Sequence, residues 1–187
     1  MAKACPITEL EFKRTLALAR TTRHPERNVV CLMLSARAGM RVGEIGAIDL
    51  ADVYHQHAGE ARDRIYLAAE RTKWAHAREV HLNNAVRRDL AAYLNVRGMA
   101  GGALVLTQSG KRFGRTALVG LYMGLYQRAG IETSSHAGRA LFITSLDDKG
   151  VSLRIVQKAV GHKSLSATNH YFSARPAEVS AAMELLR

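Results

Sequence analysis

Apolar and polar positions follow two different periods along this chain, and the change of period divides it. After Thr8, the stretch ELEFKRTLALAR predicts a helix: Thr8 and Glu11 have capping-box spacing, and Leu10, Leu16 and Leu18 give a mixed apolar face. A loop with Pro25 leads to residues 26–38, where VVCLML is apolar on every side; this predicts a buried helix with Gly39 as its C-cap. A short helix over 43–48 and a turn over 49–52 follow. Residues 64–69 and 78–82 then alternate with a period of two and predict the strands of one hairpin, the single convincing β-region. The loop ERTKWAHA between them carries Lys73 near its tip.

Helical spacing then returns. Asn83 or Asn84 caps a helix running to about Arg97, and Gly98, Gly101 and Gly102 break it. Thr116 starts an amphipathic helix through Leu118, Leu121, Tyr122 and Leu125, ended by Gly130. Ser134 and Ser135 cap a helix bearing His136 and Arg139 and ending at Gly150; Ser152 caps the next, ending at Gly161. Ser166 caps a short helix carrying Tyr171, and Pro176 opens a final helix over 177–187 with Val179, Met183 and Leu186 on one stripe. The expected fold is mainly α with a small antiparallel β-sheet, in one domain over 1–187: a tail over 1–6, and a C-terminal helix over 176–187 that either packs on its own domain or exchanges between protomers.

Composition narrows the class. With 48% apolar and 23% charged residues, the 187-residue chain has the make-up of a globular domain and not of a disordered one. No apolar run approaches the ~18 residues of a membrane span. The N-terminus lacks the apolar core of a secretory signal, and two cysteines are too few for a disulfide framework. Cys31, inside VVCLML, reads as a core thiol. A cytoplasmic location is expected. Lys plus Arg number 27 against 16 Asp plus Glu, a net charge of +11 spread along the whole chain, which favours a polyanionic partner such as nucleic acid.

Several polar residues stand out, each with a plain structural use. Arg41 has Glu44 three residues on as a ready ion-pair partner; His136 and Arg139 share a helix face; His162 follows a C-cap glycine; Tyr171 suits a core. His55 and His57 find no Cys or carboxylate cluster to complete a metal site. Taken together with Lys73, however, the set suits attack on a phosphodiester. Arginine forks match the non-bridging oxygens, where charge builds up in the transition state. A phenol attacks once a histidine takes its proton, and a lysine protonates the leaving sugar oxygen. Arginines in these positions replace a metal ion, and nothing in the set asks for a cofactor.

The order of these residues resembles the catalytic domain of the tyrosine site-specific recombinases, the phage integrase family. AGMRVGEIGAIDLADV resembles the box around the family's first arginine, giving Arg41 with Glu44 as supporting carboxylate. TKWAHAREVHL resembles the hairpin box, with Lys73 seven residues before Val80. SSHAGRALFITSLDDKGVSLRIVQKAVGHKSLSATNHY resembles the second box and gives His136, Arg139, His162 and Tyr171. The resemblance implies the family's catalytic-domain fold. It implies that Tyr171 forms a 3′-phosphotyrosyl bond and that Arg41, Arg139 and His162 hold the phosphate. Lys73 would be the general acid, and His136 would assist proton transfer. It further implies double-stranded DNA as partner, a tetramer on DNA, in some cases an accessory DNA-binding protein, and association with the nucleoid.

Two departures bear on these expectations. Family members usually carry an N-terminal helical domain, and this chain begins almost at the catalytic domain. That is expected of a short form, like the inversion recombinases of fimbrial switches, or of a fragment; fewer phosphate contacts then imply weaker, more salt-sensitive binding. After Arg139 stand Ala140 and Leu141, where the family often has a basic or small polar pair. The alternatives are a DNA-binding regulator of the same fold that does not cleave, and relaxation of DNA in the manner of a type IB topoisomerase.

Overall fold

The computed structural model describes residues 6–55, 58–72, 77–169, 171–172 and 183–184. Helix α1 (Glu9–Ala19) starts at Thr8, and the expected capping box forms: the Glu11 carboxylate accepts from the Thr8 amide at 2.7 Å. Its buried side is Phe12, Thr15 and Ala19, with Leu16 and Leu18 half-buried, whereas Leu10 is 76% exposed and leaves the expected apolar face. Helix α2 (Pro25–Ala38) begins at Pro25 itself, where a missing N–H costs nothing, and is the centre of the molecule. Val30, Cys31, Leu32 and Leu34 are fully buried, and α5 (Asn84–Arg97) and α7 (Ala137–Asp147) pack along it. Burial pushes the Cys31 thiol up to about 12, so it is an inert core group as expected.

Gly39 ends α2 in the left-handed region, φ 65°. A Cβ there would lie 2.7 Å from the Phe142 ring, so both backbone and space require glycine. Helix α3 (Val42–Ala47) follows and packs on α6 (Arg115–Arg128), which itself starts one residue before Thr116. The expected turn over 49–52 is instead a short helix, α4 (Leu50–Val53), because Asp52 reaches back to the Asp49 amide at 2.7 Å as a capping box.

Among the described residues the β-structure is two separate antiparallel ribbons, not one region. The unforeseen ribbon pairs β1 (Tyr54–His55) with β2 (Glu60–Ala61); strands of two residues carry no period to read. The expected hairpin pairs β3 (Arg64–Leu67) with β4 (Arg78–His81), Ile65 opposite Val80, both buried. The first strand stops at Leu67, and residues 69–71 form a 3₁₀ turn. Helix α5 is capped by Asn83, whose Oδ1 accepts from the Val86 amide at 3.0 Å.

Helix α7 starts later than its serines suggest. His136 is its N-cap residue, just outside the helix that carries Arg139. Ser134 and Ser135 lie before it; the Ser134 carbonyl takes the Ala137 amide. Helix α8 (Leu153–Val160) ends at Gly161 as expected, and α9 (Leu165–Asn169) is shorter than expected: Tyr171 stands in the turn after it, not on it. Apart from Met183 and Glu184, the C-terminal helix expected over 176–187 lies outside the described residues, and so does most of the tail over 1–6.

Candidate functional site

The C-terminus of α8 organises the site. A helix end leaves its last carbonyls unpaired and partly negative, so it attracts donors with positive charge. Here three consecutive carbonyls each accept from a different arginine. Arg78 Nη1 donates to Ala159 O at 2.7 Å, Arg139 Nη2 to Val160 O at 2.6 Å, and Arg41 Nη2 to Gly161 O at 3.3 Å. Those arginines come from β4, from the first turn of α7 and from the residue before α3. One helix end therefore gathers three distant parts of the chain, immediately before His162.

A single carboxylate completes the frame. Glu44 is buried and accepts from the Arg41 amide, from Arg41 Nη1 and from Arg78 Nη2, each at 2.8 Å. Burial raises the Glu44 pKa, but Arg78, the Arg41 amide and charge, and Arg139 outweigh it and hold the carboxyl below its ordinary value. Arg139 is 5% exposed and also donates to the Gly39 carbonyl; burial first, then Arg41 and Arg78, drive its pKa well down. Three guanidiniums against one carboxylate leave an excess of two positive charges, which suits an anion.

His162 responds to that field. Burial, then Arg139, Arg41 and Arg78, lower its pKa to about 4, so at neutral pH it is an uncharged ring. Its Nδ1 shares a hydrogen bond of 2.8 Å with the buried Thr168 hydroxyl in α9. Its backbone is fixed by a pair of 3.1 Å bonds with Gln157. The ring is thus oriented by its neighbours.

The remaining expected residues are placed differently. Tyr171 is half-buried against Ile143, Val156 and Val160, and its amide donates to Thr168 O at 3.0 Å. His136 is exposed and lines a cleft of about 330 Å³ together with Arg41, Glu44, Arg71 and Arg115. Lys73 lies outside the described residues. Arg41, Glu44, Arg139 and His162 are therefore brought together, with Tyr171 packed on the same α8 and His136 in a cleft shared with Arg41 and Glu44. Arg78 was missed by reading the sequence: its partners stand 34 and 81 positions away, and the only local sign is an arginine opening a strand. Among the described residues, no group of three or more His, Cys, Asp or Glu is placed to hold a metal ion, and no helix is long and apolar enough to cross a membrane.

Known proteins share this fold and sequence pattern. The sequence profile of the phage integrase family matches residues 6–178. The tyrosine recombinase XerA of Thermococcus kodakarensis is 29% identical over 168 residues, covering 88% of this chain and 56% of that protein. The tyrosine recombinase XerC of Herpetosiphon aurantiacus is 32% identical over 174 residues, covering 88% and 54%. The chain thus spans about half the length of these curated relatives. Among solved structures, the integrase of transposon Tn1549 in complex with a circular intermediate DNA superposes with a TM-score of 0.81 at 18% identity, over 100% of this chain and 67% of that one. The mainly helical fold is therefore that of the tyrosine recombinase catalytic domains, and this chain belongs to the phage integrase family.

Proposed function

We propose that the chain cuts and rejoins double-stranded DNA at specific sites, through a covalent 3′-phosphotyrosyl intermediate and without a metal ion. The gathering of Arg41, Arg139 and Arg78 on the end of α8, beside a neutral His162, carries this reading. The Tyr171 phenol oxygen attacks the scissile phosphorus, and the bond to the 5′ oxygen breaks. His136 assists removal of the phenol proton, and Lys73 protonates the leaving 5′ oxygen. Arg41 and Arg139 hold the non-bridging oxygens as negative charge grows on them, with His162 as a neutral hydrogen-bond donor. The 5′-hydroxyl of a partner strand then displaces the tyrosine. The ester keeps the energy of the broken bond, so no nucleotide is consumed.

The reading extends to assembly. Strand exchange needs two duplexes, so a tetramer on DNA is expected, with an accessory DNA-binding protein as a further partner. The chromosome places the reaction in the cytoplasm, at the nucleoid. The relatives named as tyrosine recombinases, and the superposable integrase solved in complex with DNA, support DNA as the partner.

The test uses nicked duplexes with EDTA present, followed by strand-transfer and plasmid-relaxation assays. A covalent adduct with transfer to a second duplex is the expected result. An adduct with relaxation alone favours topoisomerase-like chemistry. Sequence-specific binding with no adduct would replace the proposal with a non-cleaving regulator.

A further inference from the structure

The third arginine of the frame has no part in the chemistry just described. Arg78 is enclosed: its side chain is 8% exposed, Nη2 is on Glu44, Nη1 is on Ala159 O, and Nε has no hydrogen-bond partner among the described residues. Its stem lies over Gly161, the residue before His162. A Cβ at Gly161 would be 2.5 Å from Arg78 Cδ, and Gly161 is left-handed at φ 64°. With one Nη on Glu44 and the other on Ala159 O, Arg78 is placed to set the distance between the Arg41–Glu44 pair and the end of α8.

We propose, on the strength of the function inferred above, that Arg78 is a positioning residue: it locks the Arg41–Glu44 pair to the end of α8 and so fixes Arg41 and His162 relative to each other. The geometry gives three reasons. Glu44 Oε2 accepts both the Arg41 amide and Arg78 Nη2, so moving Arg78 frees the carboxylate that orients Arg41. Ala159 O and Gly161 O, two residues apart, take Arg78 and Arg41 respectively, so the two arginines clamp the same backbone from two sides. Arg78 also stands five residues after Lys73 in the second strand of the hairpin, so the clamp ties the stem of that loop to α8. Only a planar fork reaches both Glu44 and Ala159; an ammonium is a point charge.

Arg78→Met and Arg78→Lys test this, read in two ways. The first is the titration midpoint of the His162 ring by NMR, without DNA; the charges acting on that ring are Arg139, Arg41 and Arg78, and its partner is Thr168. The second is the rate of adduct formation at saturating nicked duplex, with DNA affinity and melting temperature as controls. In Arg78→Met the midpoint is expected to rise modestly from about 4, because burial, Arg139 and Arg41, the larger causes, remain. The adduct rate should fall by about 10²-fold, as for a small misplacement of reacting groups, with a much smaller change in affinity. Arg78→Lys keeps the charge and loses the fork, so its midpoint stays low while its rate falls. A wild-type rate in Arg78→Lys, or an unmoved midpoint in folded Arg78→Met, overturns the proposal. A rate loss that only follows the loss of folding overturns it as well. If the unmodified chain makes no adduct, it is the recombinase reading that fails, and the positioning role of Arg78 is decided by whether the His162 ring and Arg41 guanidinium NMR signals move in Arg78→Lys; unmoved signals overturn it.

Discussion

Helix α7 belongs to two cores of very different depth. On one side Ala137 and Leu141 join the main cluster around α2, where Val30, Cys31, Leu32 and Leu34 are fully buried. On the other, among the described residues, Ile143 forms a small cluster with Val156 and Val160, covered by the half-buried Phe142, Leu146, Val151, Tyr171 and Phe172. Arg139 lies at the start of α7 and donates into both sides, to Gly39 O at the end of α2 and to Val160 O at the end of α8. Arg139 is therefore anchored to both cores, and the end of α8 takes Arg41 and Arg78 as well. Tyr171, the group that would attack, packs on the shallow core. Such a division suits an enzyme that must bind an anion firmly yet present its nucleophile only when substrate is in place.

The largest expected effect comes from cutting the link between the two cores. Arg139→Ala should slow adduct formation by about 10²- to 10³-fold, the usual value of one such charge-stabilising donor. If a single-turnover assay showed a near-normal rate, the frame would not be the phosphate site. The two cores should also differ in what they contribute to stability. Leu34→Ala should cost about 2–5 kcal/mol in urea unfolding, as large-to-small changes in deep cores do. Phe172→Ala, on the half-buried side, should cost less than about 2 kcal/mol, because little area leaves water there. Equal costs would abolish the distinction between the cores.

Acid gives the smallest and most local test. The folded-state pKa of His162, about 4, lies below its ordinary 6.5. The unfolded chain therefore binds the extra proton first, and stability is lost as pH falls from 6.5 through about 4, while above 6.5 the group has no effect. Glu44, also lowered, extends the loss further into acid. The urea midpoint should drop over this window, and His162→Asn should remove the part of the drop that belongs to the ring. A bound phosphate adds negative charge beside His162, so DNA should raise its midpoint; a fall would contradict an anion in this site.

Much of this was legible in the sequence wherever the cause was local. The Thr8–Glu11 box, the left-handed Gly39 and Gly161, and the Asn83 cap each depend on residues within a turn of one another, and all stand where expected. Arg41, Glu44, Arg139 and His162 converge as their order along the chain implied. What escaped were features without a local cause. Two-residue strands have no period, and α4 depends on one aspartate reaching back to another. The exposure of Leu10 depends on what α1 packs against. His136 and Tyr171 were assigned to helices that start after one and end before the other, because helix ends are set by carbonyl partners that spacing does not reveal. The meeting of three arginines on residues 159–161 depends on contacts that span 81, 21 and 120 positions.

The most direct test of the account is to identify the atom that carries the DNA. The adduct trapped on a nicked duplex would be digested with nuclease and protease, and the modified peptide sequenced by mass spectrometry. The account predicts a nucleotide 3′-phosphate on Tyr171, and no modified peptide from Tyr171→Phe. A nucleotide on any other side chain, or an adduct that persists in Tyr171→Phe, would contradict it.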